Sequence, residues 1–293
     1  MHQEYNQEQT GNIRFAFVLN LLFALVEVVG GILTNSIAVI ADAIHDLGDS
    51  ISLGAAWFFE KYSRKGRTAS YTYGYRRFSL LGALINALVL IIGSIFVITE
   101  VVERIMNPVE VMADGMFYLA LAGVAVNGIA VLRLRRNNSL NSRMVMLHLL
   151  EDVLGWTAVL IASVVIYYTD WYQVDVWLSM VITIWVLYNA VRGLRKVMKV
   201  ILQAAPPEFN YEKAIAELKK INGVKDIHDL HVWSLDGEYH IASLHLGRYT
   251  ENTNQDAEIR KLVRQYFFQW QINHVTIETE LPSEAEDCEY QNC

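Results

Sequence analysis

Four side chains, His45, Asp49, His148 and Asp152, carry the chemistry for which this sequence is best equipped. Each His–Asp pair has i, i+4 spacing, which on a helix stacks both groups on one face, and each sits in an otherwise apolar run. A charged side chain at mid-bilayer costs about 2.5–3.5 kcal/mol on the insertion scale, so such groups mark function by default. A single pair serves equally well as a polar clamp between helices. Two matching pairs offer two imidazole nitrogens and two carboxylates, an N2O2 set that suits Zn2+, which has no d-electron geometric preference and accepts tetrahedral His/Asp ligation. Hard ions such as Mg2+ take more oxygens. Asp42 falls on the His45/Asp49 side a turn further out, as a vestibule or supporting group. Asp46 and Glu151 each neighbour a ligand in sequence and therefore point about 100° away, which makes them pathway or interhelix groups. Glu27 is one more carboxylate in an apolar run, open to a salt-bridge, structural or transport role.

These residues must be positioned by long helices. Apolar runs near the ~20 residues that span a bilayer occur at Phe15–Leu33, Ile37–Phe59, Phe78–Val101, Met116–Leu132, Val145–Tyr168 and Val174–Val191. They predict a polytopic α-helical membrane protein with six transmembrane helices. Lys and Arg concentrate on the cytoplasmic side of such proteins. Here they cluster after the second run (Lys61, Arg64, Lys65, Arg67, Arg76, Arg77), after the fourth (Arg133, Arg135, Arg136, Arg143) and at the exit of the sixth (Arg192, Arg195, Lys196, Lys199). The opposite-side links hold Arg104 alone, so both termini are expected in the cytoplasm, with Tyr167, Trp171 and Tyr172 as far-side interfacial anchors.

Composition agrees: 53% of the residues are apolar, above the roughly 45–50% of soluble domains even with glycine counted. The net charge of −7 comes entirely from the part beyond Pro206-Pro207, an acidic balance that argues against nucleic acid and suits cations. There the pattern changes to short mixed elements: a helix at Tyr211–Ile221, strands at Val224–Leu235 and Tyr239–Leu246 joined by an Asp236-Gly237 hairpin signal, a helix at Asp256–Phe268 and a strand at Asn273–Leu281. The order αββαβ predicts a C-terminal cytoplasmic α+β domain of ferredoxin-like kind. The domains are then a tail at 1–12, a membrane domain at 13–205, a cytoplasmic domain at 206–281 and an acidic tail at 282–293. Cys288 and Cys293, the only cysteines, build no disulfide framework. Residues 1–11 are polar without a basic n-region, unlike a signal peptide.

The chain resembles the cation diffusion facilitators, specifically their zinc-transporting branch. The likeness rests on Asn35-Ser36, on Ala41-Asp42-Ala43-x-His45-x-x-x-Asp49, on Tyr73-Gly74-Tyr75 and on His148-x-x-x-Asp152. It continues through His228-Asp229-Leu230-His231-Val232-Trp233-Ser234 and His274-Val275-Thr276-Ile277-Glu278-x-Glu280. The resemblance implies a homodimeric metal/proton antiporter of the bacterial inner membrane that exports Zn2+ by alternating access, with His45, Asp49, His148 and Asp152 as the transport site. It also implies that a His at position 45 favours zinc, and that His228, His245 and Glu280, with Glu278, are the best candidates for a cytoplasmic zinc site; strand histidines are also commonly structural. The chain departs from eukaryotic members in lacking a His-rich stretch at Arg135–Arg143, and it carries Glu151 and Trp156 where small residues are common. Cys288 and Cys293 resemble the Cys-bearing tail of some relatives, although their gap is wider than Cys-x-x-Cys; a disordered acidic tail is the other reading.

Proton coupling also follows from ligand chemistry alone. Zinc requires neutral His and ionised Asp, so loading the site releases protons and protonation expels the ion; closely spaced ligands titrate as one unit. Exchange of Zn2+ for H+ across a lipid bilayer is therefore expected. The rivals are export of Cd2+, Co2+, Fe2+ or Mn2+, a non-transporting zinc sensor, and an intramembrane metallohydrolase, which the lack of a His-Glu-x-x-His motif disfavours.

Overall fold

The structure is a computed structural model that describes residues 18, 21–63, 65–134, 140–249 and 255–282; the side chains of 52, 53, 56, 57, 60, 61, 133, 134, 140–145 and 148 fall outside that description. The chain divides into two units, residues 1–60 with 81–194, and 61–80 with 195–293.

The first unit is helical, with α1 (Leu21–Thr34), α2 (Ile37–Ser63), α3 (Ser79–Met106), α4 (Ala113–Leu134), α5 (Leu140–Thr169) and α6 (Gln173–Ile201). Stretches of α3, α4, α5 and α6 are long and apolar enough to cross a membrane. The helix α2 has comparable length but carries Asp42, Asp46 and Asp49, and α1 is described over a shorter stretch. The helix α6 runs past the apolar stretch to Ile201 because Arg192, Leu194, Arg195, Lys196 and Met198 are all good helix formers.

Two packing features set α2 and α5. Asp175 at the start of α6 accepts from Ser36 Oγ (2.6 Å), Ile37 N (2.8 Å) and Ala38 N (3.3 Å). An acidic side chain from another helix thereby satisfies the orphan N–H groups of α2 and complements its dipole. On α5, the fully buried Trp156 meets Phe23 of α1 edge-on, with ring centroids 5.6 Å apart. It lies flat against α4 at Gly123, where any Cβ would overlap the indole. The large side chain at 156 is thus accommodated by the absence of one opposite.

In the second unit, α7 (Tyr211–Leu218), β1 (Val224–Ser234), β2 (His240–Arg248), α8 (Asp256–Phe268) and β3 (Ile272–Glu280) follow in the order expected from the sequence. Asn210 caps α7 by accepting from Lys213 N at 2.9 Å. The sheet has the order β1-β2-β3, with β1 and β2 antiparallel and β2 and β3 parallel. The turn at Asp236-Gly237 uses a positive φ of 98° at Gly237, and Asp236 Oδ1 accepts from Glu238 N and Tyr239 N at 2.9 and 2.7 Å. Alternation along β2 puts Ala242, Leu244 and Leu246 into a core with Leu218, Val263 and Phe267 and leaves Ser243 and His245 on the opposite face.

The link 65–78 also belongs to this unit. Arg76 pairs with Asp236 at 3.3 Å and lies over the Tyr239 ring at 4.5 Å, while Tyr73 meets His274 edge-on at 5.9 Å.

Candidate metal sites

In the helical unit, α2 presents His45, Asp46 and Asp49 and α5 presents Asp152. His45 Nε2 lies 3.7 Å from Asp49 Oδ2, as the i, i+4 spacing requires. One ligating atom each from His45, Asp46 and Asp152 lie within 4.8 Å of one another. The helices come close here: a Cβ on Gly155 would sit 3.8 Å from Asp42 Oδ1. Asp42, Asp152 and Glu27 are buried as well.

Asp46, read from the sequence as a pathway or interhelix group, is grouped with Asp152 of α5. It is turned about 100° from His45, as anticipated, yet that direction leads to Asp152. It is 1% exposed and grouped with His45 and Asp152. A single-helix projection cannot register the neighbouring helix from which Asp152 comes. Glu151 is exposed and stands apart from the group. The side chain of His148 lies outside the described residues, as do Cys288 and Cys293; the backbone of α5 runs helically through 148 and 152.

In the second unit the sheet register builds another group. His228 on β1 stands opposite His245 on β2, and His245 stands opposite Glu278 on β3. Glu280 joins the two imidazoles, with Oε1 2.6 Å from His245 Nδ1 and Oε2 3.1 Å from His228 Nε2. The ring centroids are 5.4 Å apart, and ligating atoms of all three residues lie within 4.8 Å. Two imidazoles and a carboxylate at this separation fit a Zn2+ ion, whose bonds to N and O are about 2.0–2.2 Å long. Glu278 reaches His245 Nε2 at 3.6 Å from a largely exposed position.

Two carboxylates beside this group were missed in the sequence. Asp226 Oδ2 is 3.4 Å from His228 Nδ1, and Asp229 Oδ2 is 3.6 Å from His245 Nε2. Asp226 had a signal, being two residues before His228 and so on the same strand face. Asp229 had none, because alternation assigns it to the other face. A register irregularity between His228 and His231, with Asp229 at φ 48°, brings it back. Burial pushes the Asp226 carboxyl up, but the hydrogen bond and charge of Lys219, 2.6 Å away, outweigh it and hold the group below the usual carboxylate range.

The sequence matches two family models, "Cation efflux transmembrane domain" over residues 13–202 and "Cation efflux protein, cytoplasmic domain" over 206–280. It is 34% identical over 283 residues to "Zinc transporter ZitB" of Escherichia coli, covering 94% of this chain and 88% of that protein. It is 32% identical over 278 residues to the "Cadmium, cobalt and zinc/H(+)-K(+) antiporter" of Bacillus velezensis, covering 93% and 88%. A solved structure described as the metal-bound C-terminal domain of the CzcD transporter from Cupriavidus metallidurans is 28% identical, covers 25% of this chain and all of its own, and has a TM-score of 0.23. With both models matched in tandem along nearly its whole length, this multi-pass membrane protein belongs to the cation efflux, or cation diffusion facilitator, family.

Proposed function

We propose that the protein exports Zn2+ from the cytoplasm in exchange for H+, by alternating access through an intramembrane site of His45, Asp49, His148 and Asp152. The observation that carries this reading is the group of half-buried His45 with buried Asp46 and Asp152, with Asp49 beside His45, in a domain of the cation efflux family. An imidazole and carboxylates so placed bind a divalent ion when deprotonated and release it when protonated, which couples the ion to protons moving the other way. Zinc as cargo is supported by the N2O2 donor set and by the zinc-transporting relatives. The same relatives keep Cd2+ and Co2+ as alternative cargo. The architecture proposed for this work is a homodimer of six-span protomers with both termini cytoplasmic. The membrane domain is placed at 13–205, a ferredoxin-like domain at 206–281 and an acidic tail at 282–293. The test is zinc flux into proteoliposomes under an imposed pH gradient. Flux should rise when the receiving side is acid, and flux indifferent to the gradient refutes antiport.

A second site is favoured by the Glu280 bridge between His228 and His245. We infer that these three residues hold a regulatory or structural Zn2+, with Glu278 as an outer candidate. A bound ion there supplies a cross-link among β1, β2 and β3. The measurement is zinc stoichiometry of the purified full chain, which should fall by one ion per protomer in a His228→Ala/His245→Ala variant; unchanged stoichiometry refutes the site.

A further inference from the structure

Among the described residues of the membrane domain, Asp46 and Glu27 are buried with both carboxylate oxygens lacking a hydrogen-bond partner, and Asp46 is the one grouped with His45 and Asp152. It is 1% exposed, and both of its carboxylate oxygens are shut from water and accept no hydrogen bond from any described residue. The charged neighbours near enough to act on it are Glu27, Asp42, Asp49 and Asp152, all of its own sign. A buried carboxyl group in an apolar interior is paired, hydrogen-bonded, bound to a metal or held protonated. No described residue supplies the first two. A carboxylate oxygen of Asp46 lies with a His45 nitrogen and an Asp152 oxygen inside 4.8 Å, and atoms bound to one ion at about 2.1 Å each lie up to ~4.2 Å apart. Small side-chain rotations close that difference.

We propose that Asp46 is a direct ligand of the transported ion and sets its metal preference. It adds an oxygen donor to the His45, Asp49, His148 and Asp152 set, which raises the coordination number open to the ion. An added carboxylate favours ions that commonly take five or six ligands rich in oxygen, such as Mn2+ and Co2+, over Zn2+, which proteins mostly hold with four. The presence of His45 and that of Asp46 therefore pull selectivity in opposite directions. This proposal rests on the reading of the buried group as the transport site.

The experiment uses the purified full chain in the His228→Ala/His245→Ala background, so that the cytoplasmic donors do not contribute. Co2+ is titrated into the background protein and into its Asp46→Asn and Asp46→Glu derivatives, following visible absorption. The background should bind Co2+ with the weak absorption of a site above four-coordinate. Asp46→Asn should raise the Kd by at least ~10-fold, the lower end for even an outer-shell partner, and should intensify the absorption as the ion becomes tetrahedral. Asp46→Glu, which keeps the carboxylate, should recover most of the binding. In flux, Asp46→Asn should lower the Mn2+-to-Zn2+ ratio. An unchanged Kd and spectrum in Asp46→Asn overturn the proposal and leave the transport-site reading intact, whereas no Co2+ binding by the background overturns both. Equal losses in Asn and Glu variants assign Asp46 to packing and likewise overturn the proposal. A lower melting temperature of metal-free Asp46→Asn with an unchanged Co2+ spectrum points to a structural residue and overturns the proposal.

Discussion

Asp152 and His45 face each other from different helices, and each is expected to fail differently when replaced. Asp152→Ala removes a carboxylate from the shared group and should abolish zinc flux while the protein keeps the elution volume of the parent; retained flux removes Asp152 from the site. His45→Asp exchanges a borderline nitrogen for a hard oxygen and should broaden the ions carried, read as Cd2+ and Mn2+ competition against Zn2+. Unchanged selectivity would count against His45 as the residue that sets it. At this scale the sequence displayed the i, i+4 pairs plainly, because helical spacing alone brings His45 and Asp49 to 3.7 Å. It did not display the position of Asp46, since a helical wheel gives direction without saying which neighbour lies there. Asp229 was hidden for a related reason: a bulge changed the face on which its side chain emerges.

Among the elements, α5 is fixed by a size complement. Gly123→Leu would force a side chain into the Trp156 ring, and overpacking of this kind costs about 1–3 kcal/mol. The expected result is a lower melting temperature and weaker metal binding at Asp152, one turn away; the double variant Gly123→Leu/Trp156→Ala should recover part of the loss. Trp156 was visible in the sequence as an oversized residue, but its partner was not, because a glycine in an apolar run carries no hint of what lies against it. In the sheet, the depressed Asp226 carboxyl gives a pH dependence. A folded-state pKa below the unfolded value contributes stability above about pH 4 and loses it as pH falls through the folded value. The advantage of the parent over Asp226→Asn should therefore be present at neutral pH and vanish in acid. Lys219→Gln should shift that loss to higher pH. Asp226 is half exposed, so solvent screening keeps the effect small.

For the whole molecule, each unit holds its own group of candidate metal donors, and the two should respond separately. Zinc at 100 times its Kd stabilises the state that binds it by about 2.7 kcal/mol, so thermal unfolding of the full chain should move upward with zinc. In His228→Ala/His245→Ala the part of that shift due to the cytoplasmic group should disappear while flux-competent binding at Asp152 persists; an undiminished shift would remove the cytoplasmic site. The tandem organisation was legible from the change in composition after Pro206-Pro207 and from hydrophobic run lengths. The inclusion of 61–80 with the cytoplasmic unit was not. In sequence that stretch reads as a basic loop marking orientation, and only the folded sheet supplies Asp236 and Tyr239 for Arg76.

The attachment of Asp175 to the first residues of α2 makes that end a pivot. His45 lies eight residues further on, about 12 Å along the axis at 1.5 Å per residue. Swinging α2 by about 10° around the tethered end carries His45 through roughly 2 Å, comparable to one metal–ligand bond. With an ion held at His45 as proposed, a tilt of that size about the tethered end would be enough to make or break one bond to it. Residues near the tether travel least, and the lever arm lengthens steadily toward Asp49.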